Sequence, residues 1–188
     1  MKEKKRCHWV PQDKPDYIAY HDDEWGRPVH EDQRLFEMLI LEGAQAGLSW
    51  YTILKKRDAY RRAFKRFDPK RVAAMKDSEL QKLLATESGI VRNRLKVAAT
   101  HGNAKVFLDI QKEFGSFDTY LWKYTNGKPL EGGRRKKKAR AAASLLSHDL
   151  KARGMRFVGE EIVYSFMQAV GLVNDHDAQC YVRKRIRA

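Results

Sequence analysis

The sequence predicts an all-α protein, and three observations carry that expectation. Apolar residues recur at helical spacing through most of the 188 residues, no stretch sustains the strict alternation of a strand, and 12 glycines and 5 prolines punctuate the chain only lightly. With 43% of residues hydrophobic, the chain can bury a core, and its length suits one domain of two lobes spanning 1–188. No internal repeat of 20 to 50 residues is present, so a solenoid is excluded.

The elements follow in order. Residues 31–48 (EDQRLFEMLILEGAQAGL) place Leu35, Leu39 and Ala46 on one helical stripe, with acids in the first turn. Residues 51–65, 69–85, 91–113 and 159–171 repeat the helical pattern. Within residues 83–96 (LLATESGIVRNRLK), one helix reaches a hairpin at Gly89 and a second opens with Arg92, Arg94 and Lys96 close behind. A helix N-terminus at a tight glycine turn offers backbone donors and a positive dipole end to a phosphate, although such turns are also common without a ligand.

One composition break stands out. Residues 125–133 (TNGKPLEGG) are turn-rich and lead into Arg134, Arg135, Lys136, Lys137, Lys138 and Arg140. Segment 126–140 is expected to be a mobile basic loop, since runs of like charge are usually solvated; a nucleic-acid contact is the other reading. The same two readings apply to Arg183, Lys184, Arg185 and Arg187 at the C-terminal end.

Lys and Arg together number 38 against 24 acids, a formal charge of +14. Such an excess points to a polyanion, nucleic acid before an anionic membrane, because no apolar amphipathic anchor accompanies the charge. The opening MKEKKRCHWV lacks the apolar core of a signal peptide, and no apolar stretch approaches the ~18 residues of a membrane helix. A soluble, cytoplasmic protein with no membrane partner is expected.

Cys7 and Cys180 are the only cysteines, and each travels with a histidine, His21 and His176. Two Cys and two His complete a tetrahedral zinc set, and the His-x-x-x-Cys spacing suits one face of a helical turn. About 155 residues separate the halves, so an ion here would clip the N-terminal segment to the C-terminal helix, as a structural metal. Free buried thiols are the plainer reading.

Glu42 is the carboxylate that stands out, because it falls on the stripe of Leu39 and Ala46, where the helix should bury hydrocarbon. An unpaired buried carboxylate persists only with a partner or a purpose, so either a helix-end contact or a site is implied. Trp9, Tyr17, Tyr20, Trp25 and Trp50 crowd the same first 50 residues. As core packing this is ordinary. Together with a carboxylate it also describes a site for a flat, electron-poor ring whose exocyclic amine the acid would accept.

These residues fall in longer stretches: CHWVPQD (7–13), YIAYHDDEWG (17–26), LFEMLILEGAQAGLSW (35–50), LKKR (54–57), FDP (67–69), SGIVRNR (88–94) and RFVGEEIVYSFMQAVGLVNDH (156–176). In these the chain resembles the 3-methyladenine DNA glycosylase I family of the helix-hairpin-helix superfamily, over nearly its whole length. The resemblance implies a two-lobed helical fold and monofunctional excision of 3-methyladenine from alkylated double-stranded DNA in a bacterium, by a monomer needing no protein partner. It implies that Cys7, His21, His176 and Cys180 hold a structural zinc. Glu42 is then the base-recognising acid, Tyr20 and Trp50 the stacking residues, and Trp9 and Trp25 further pocket wall. Gly47 and Leu48 would enter the gap left by the extruded nucleotide, while Gly89, Arg92, Arg94 and Lys96 would meet the DNA backbone. Three departures mark this chain: a more basic stretch at 129–140, one extra residue between Cys7 and His21, and no clear counterpart after the hairpin of the superfamily's usual catalytic aspartate and lyase lysine, which fits a monofunctional glycosylase. A non-catalytic, zinc-stabilised nucleic-acid-binding protein and a glycosylase for another alkylated base are the competing readings.

Overall fold

The computed structural model describes residues 4–133 and 137–186. Ten helices account for most of them: α1 (Pro15–Asp23), α2 (Asp32–Gln45), α3 (Trp50–Ala63), α4 (Pro69–Ala73), α5 (Asp77–Lys82), α6 (Arg94–Phe114), α7 (Phe117–Trp122), α8 (Lys137–Ala152), α9 (Glu160–Ala169) and α10 (Tyr181–Ile186). Two residue pairs, Leu130 with Val173 and Glu131 with Asn174, form a short parallel bridge, β1 to β2. The chain is thus helical as expected, with a strand contact that no alternation announces because each strand is two residues long.

Local chemistry sets the helix starts. The Ser49 hydroxyl accepts from the Thr52 N–H at the head of α3, Asp68 caps α4 through the N–H groups of Lys70 and Arg71, and Asn93 caps α6 through those of Leu95 and Lys96. The 69–85 stretch divides into α4 and α5, separated at residues 74–76. Helix α2 is the central element: every residue from Leu35 to Ala44 is buried, and α3, α6, α7 and α9 pack around it. Burial on all sides explains why its sequence is apolar over most of its circumference.

Two expectations change. His176 and Cys180 do not share a helical turn; they flank a tight turn in which the Cys180 N–H donates to the Asp177 carbonyl at 2.9 Å, and α10 begins only at Tyr181. The basic run is not one loop, because Lys137, Lys138 and Arg140 belong to α8, and residues before it join the β bridge. Arg134, Arg135, Lys136 and Arg187 lie outside the described residues. Among those described, no helix is long and apolar enough to cross a membrane.

Candidate active site

Helix α2 delivers Glu42 in its last turn, α3 begins at Trp50, and α1 carries Tyr17 and Tyr20. These residues, with Trp9 and Trp25, line one cavity of about 360 Å³. The rings touch in sequence: Tyr20 lies 5.1 Å from Trp50 and Trp9 lies 4.8 Å from Trp25, centroid to centroid. Glu42 is 5% exposed and makes no hydrogen bond or ion pair among the described residues. Burial alone pushes its carboxyl up to about 8. The Trp50 indole N–H is likewise buried with no acceptor. An aromatic-walled space thus holds one acid and one donor, both without a protein partner.

Other wall residues escaped the sequence reading. Gln45 follows Glu42 by one turn of α2, and Ser165 and Gln168 sit one turn apart on α9. His8, Asp175 and Asp177 complete the wall. Gln45 and the α9 pair could have been found from helical spacing relative to Glu42 and to each other; nothing local marks Asp175. Its carboxylate accepts from Gln168 Nε2 at 2.6 Å and from the Tyr164 hydroxyl at 3.0 Å, and it accepts the Gly133 N–H as well. The space continues past Glu42 and Gln45 to a smaller hollow lined by Gly47 and Leu48, and Leu48 is 40% exposed.

Cys7, His21 and Cys180 bring their ligand atoms within 4.8 Å of one another, all buried. The Cys180 sulfur is 3.5 Å from His21 Nε2. His21 donates from Nδ1 to Asp22 at 2.8 Å, and His176 donates from Nδ1 to the Asn174 side-chain oxygen at 3.1 Å, so each ring has an Nε2 lone pair to offer, that of His21 facing the Cys180 sulfur. His176 Nε2 is buried with no partner, and its ring centroid lies 5.3 Å from that of His21. Burial lowers His176 to about 4 and lowers His21 too, so both are neutral. Burial also pushes the Cys7 thiol far up, although the Asp177 N–H donates to its sulfur. One neutral imidazole and two buried sulfurs thus form a group that could hold a metal ion, and His176 lies beside it without its ligand atom joining that group. Gly26 belongs to the same design: a Cβ there would lie 2.5 Å from the His176 ring. Asp22, behind His21, is raised by burial but held at about 2 by Arg6 and His21.

The hairpin is built on α3. The Gly89 carbonyl accepts from Lys56 Nζ at 2.9 Å, and Gly89 takes a φ of 71° that glycine alone adopts freely. The Val91 N–H donates to the Tyr60 hydroxyl at 3.4 Å. Arg92 and Arg94 are exposed beyond it. Lys96 differs from the phosphate contact expected: its ammonium donates to the carbonyls of Ala44 and Ala46 at 2.7 and 2.6 Å, closing the end of α2.

A methyladenine glycosylase family model matches residues 9–184 of the chain, spanning pocket, hairpin and three of the four Cys/His positions. The chain belongs to that family. It is 47% identical to DNA-3-methyladenine glycosylase 1 of Escherichia coli (strain K12), over 94% of this chain and 95% of that protein. It is 43% identical to DNA-3-methyladenine glycosylase of Haemophilus influenzae, over 93% of this chain and 96% of that one. A crystal structure of 3-methyladenine DNA glycosylase I superposes with a TM-score of 0.87 at 47% identity, covering 94% of this chain and 98% of that one. The Staphylococcus aureus enzyme, solved to show how it recognises 3-methyladenine, does so with 0.85 at 39% identity, over 92% and 93%.

Proposed function

We propose that the protein is a monofunctional DNA repair glycosylase that flips 3-methyladenine out of alkylated duplex DNA and hydrolyses its glycosidic bond. The observation that carries this reading is Glu42: a buried carboxylate with no partner, in an aromatic cavity, in a family whose members at this identity are named for the same activity. Methylation at N3 makes the base a cation. Aromatic faces attract a cationic ring, and a carboxylate favours it further while accepting from the exocyclic amine. Cation arrival lowers the Glu42 pKa, so the acid ionises as the lesion enters.

Bond breaking then needs little acid catalysis. The C1′–N9 electron pair leaves with the base, which departs neutral; water adds its oxygen to the oxocarbenium-like sugar and releases a proton to solvent. In this scheme Tyr20 and Trp50 stack the base, Trp9 and Trp25 close the wall, and Gly47 and Leu48 occupy the gap in the duplex. The hairpin at Gly89, with Arg92 and Arg94, grips the backbone as a helix-hairpin-helix element. Extrusion costs a few kcal/mol, least for a damaged base.

Cys7, His21, His176 and Cys180 would hold one zinc, which when bound joins the chain's two ends and supplies folding free energy. Trp25 lies 4.5 Å from His176 and also lines the cavity, so the cluster supports the pocket wall. The chain is read as one domain over 1–188 acting as a monomer on double-stranded DNA in the bacterial cytoplasm. Incubating the purified protein with methylated duplex and identifying the released bases tests the reading; absence of free 3-methyladenine would overturn it.

A further inference from the structure

The far ends of α2 and α3 enclose a second concavity, of about 760 Å³, that plays no part in the site above. Its cations are Arg34, Arg61, Arg62, Lys65, Arg66 and Arg71, and its acids Glu31, Glu37 and Asp58. Glu37 is taken up by Arg34, Arg57 and Arg61, and Asp58 by Arg61. Arg62, Arg66 and Arg71 are exposed, and no acid among the described residues pairs with them. Six cations against three acids leave the lining with an excess of positive charge.

The backbone beneath is unusual. Lys65, Arg66 and Phe67 have φ values of 52°, 58° and 59°, three consecutive side-chain-bearing residues in the left-handed region. L residues avoid this conformation, and it persists where surrounding structure enforces it, often at functional surfaces. Here Phe67 is fully buried, Lys65 Nζ donates to Glu79 at 2.8 Å, and Gln33 Nε2 donates to the Arg66 carbonyl at 2.7 Å. A turn held from three sides places Lys65 and Arg66 on the cleft.

Position along α3 suggests what the cleft takes. Trp50, its first residue, lines the base cavity; Lys56 and Ala59 touch the Gly89 hairpin; Arg61 and Arg62, at its last turn, line the cleft. Pocket, hairpin and cleft thus succeed one another along a 14-residue helix about 20 Å long. We propose that the arginine cleft binds phosphodiester groups of the substrate duplex beyond the hairpin, extending the footprint by about six base pairs from the flipped nucleotide. The proposal rests on the glycosylase reading above. Arginine's planar fork matches phosphate oxygens, and the cleft's α3 residues, Arg61 and Arg62, lie within about one helical turn of the hairpin contact at Ala59 along the axis.

The test compares two lesion-bearing substrates: a duplex of about 21 base pairs and a stem-loop of about 9, each with the methylated base central, the shorter ending before the cleft. In the Arg62→Gln, Arg66→Gln, Arg71→Gln variant, single-turnover kcat/KM on the long duplex should fall about tenfold at 0.1 M salt, and the log–log salt slope of binding should shrink by about 2 to 3. On the short stem the variant should match the parent, and the triple Lys variant, which keeps the charge but not the fork, should keep the parent's salt slope while regaining only part of the rate on the long duplex. An equal loss on both substrates, or no loss on the long one, overturns the proposal; the latter result would leave an acidic protein as the cleft's occupant. Failure of the unchanged protein to release 3-methyladenine from either substrate would instead sink the glycosylase reading itself.

Discussion

Glu37 and Glu42 occupy the same helix, are 6% and 5% exposed, and differ completely in company. Glu37 Oε1 accepts from Arg57 Nε at 2.7 Å and Arg61 Nε at 2.8 Å, while Arg34 Nη1 donates to Oε2 at 3.1 Å. Burial raises this carboxyl, yet the arginines outweigh it and bring it below the usual range. Glu42 has only the burial. One acid is part of the scaffold; the other awaits a charge from outside.

Opposite outcomes on stability follow for the two. Between about 4.5 and about 8 the folded protein keeps the Glu42 proton that the unfolded chain has lost, so this residue makes stability fall as pH rises through that window. Glu42→Gln should therefore raise the melting temperature at pH 8 and leave it unchanged at pH 4, with a ceiling of about 5 kcal/mol. Excision should drop sharply in the same variant. Thermal unfolding at the two pH values, read beside base release, checks both halves.

Glu37→Gln should act the other way. Arg57 is 7% exposed, and loss of the Glu37 charge removes half of its compensation, leaving only Glu24. A loss of about 3 kcal/mol in urea unfolding is expected. Equal stability of the variant and parent would contradict the buried network.

The stacking wall makes a separable prediction. Trp50→Ala should weaken binding of free 3-methyladenine by roughly 1 to 3 kcal/mol while affinity for undamaged duplex barely changes, because phosphate contacts position the DNA and the pocket reads the base. Isothermal titration with the free base and fluorescence binding to plain duplex give the two numbers.

Metal content is predicted at one zinc per chain, with Cys180→Ser unfolding at lower temperature and chelation doing the same to the parent. Asn174→Ala removes the acceptor that orients His176, so zinc affinity should fall about 10- to 100-fold without loss of a ligand. Competition with a chromophoric chelator measures it, and unchanged affinity would argue that His176 is no ligand.

Much of this was legible in the chain. The helical stripe of α2 and the two Cys/His pairs are local patterns, and the resemblance over nearly the whole length supplied their roles. The contrast between Glu37 and Glu42 was not, because Arg57 and Arg61 lie 20 and 24 residues away and only folding brings them to one acid. An i, i+4 pair reads as a helix even where, as at His176 and Cys180, a turn supplies the same proximity. No glycine or asparagine in Lys65–Phe67 signals a left-handed turn; Phe67 is drawn there by the core. Asp175 gathers partners from α9 and from Gly133, a convergence with no trace in spacing.

Lys96 links the N-terminal turn of α6 to the carbonyl end of α2, through the carbonyls two and four residues beyond Glu42. The element that would hold the sugar-phosphate strand and the element that carries the reading acid are thereby one mechanical piece. On the glycosylase reading, such a gauge would examine one nucleotide per placement, at a set offset from the gripped phosphates, and would test every other base only when the protein steps along the strand. Search would then be a matter of indexing, with Lys96 setting the interval.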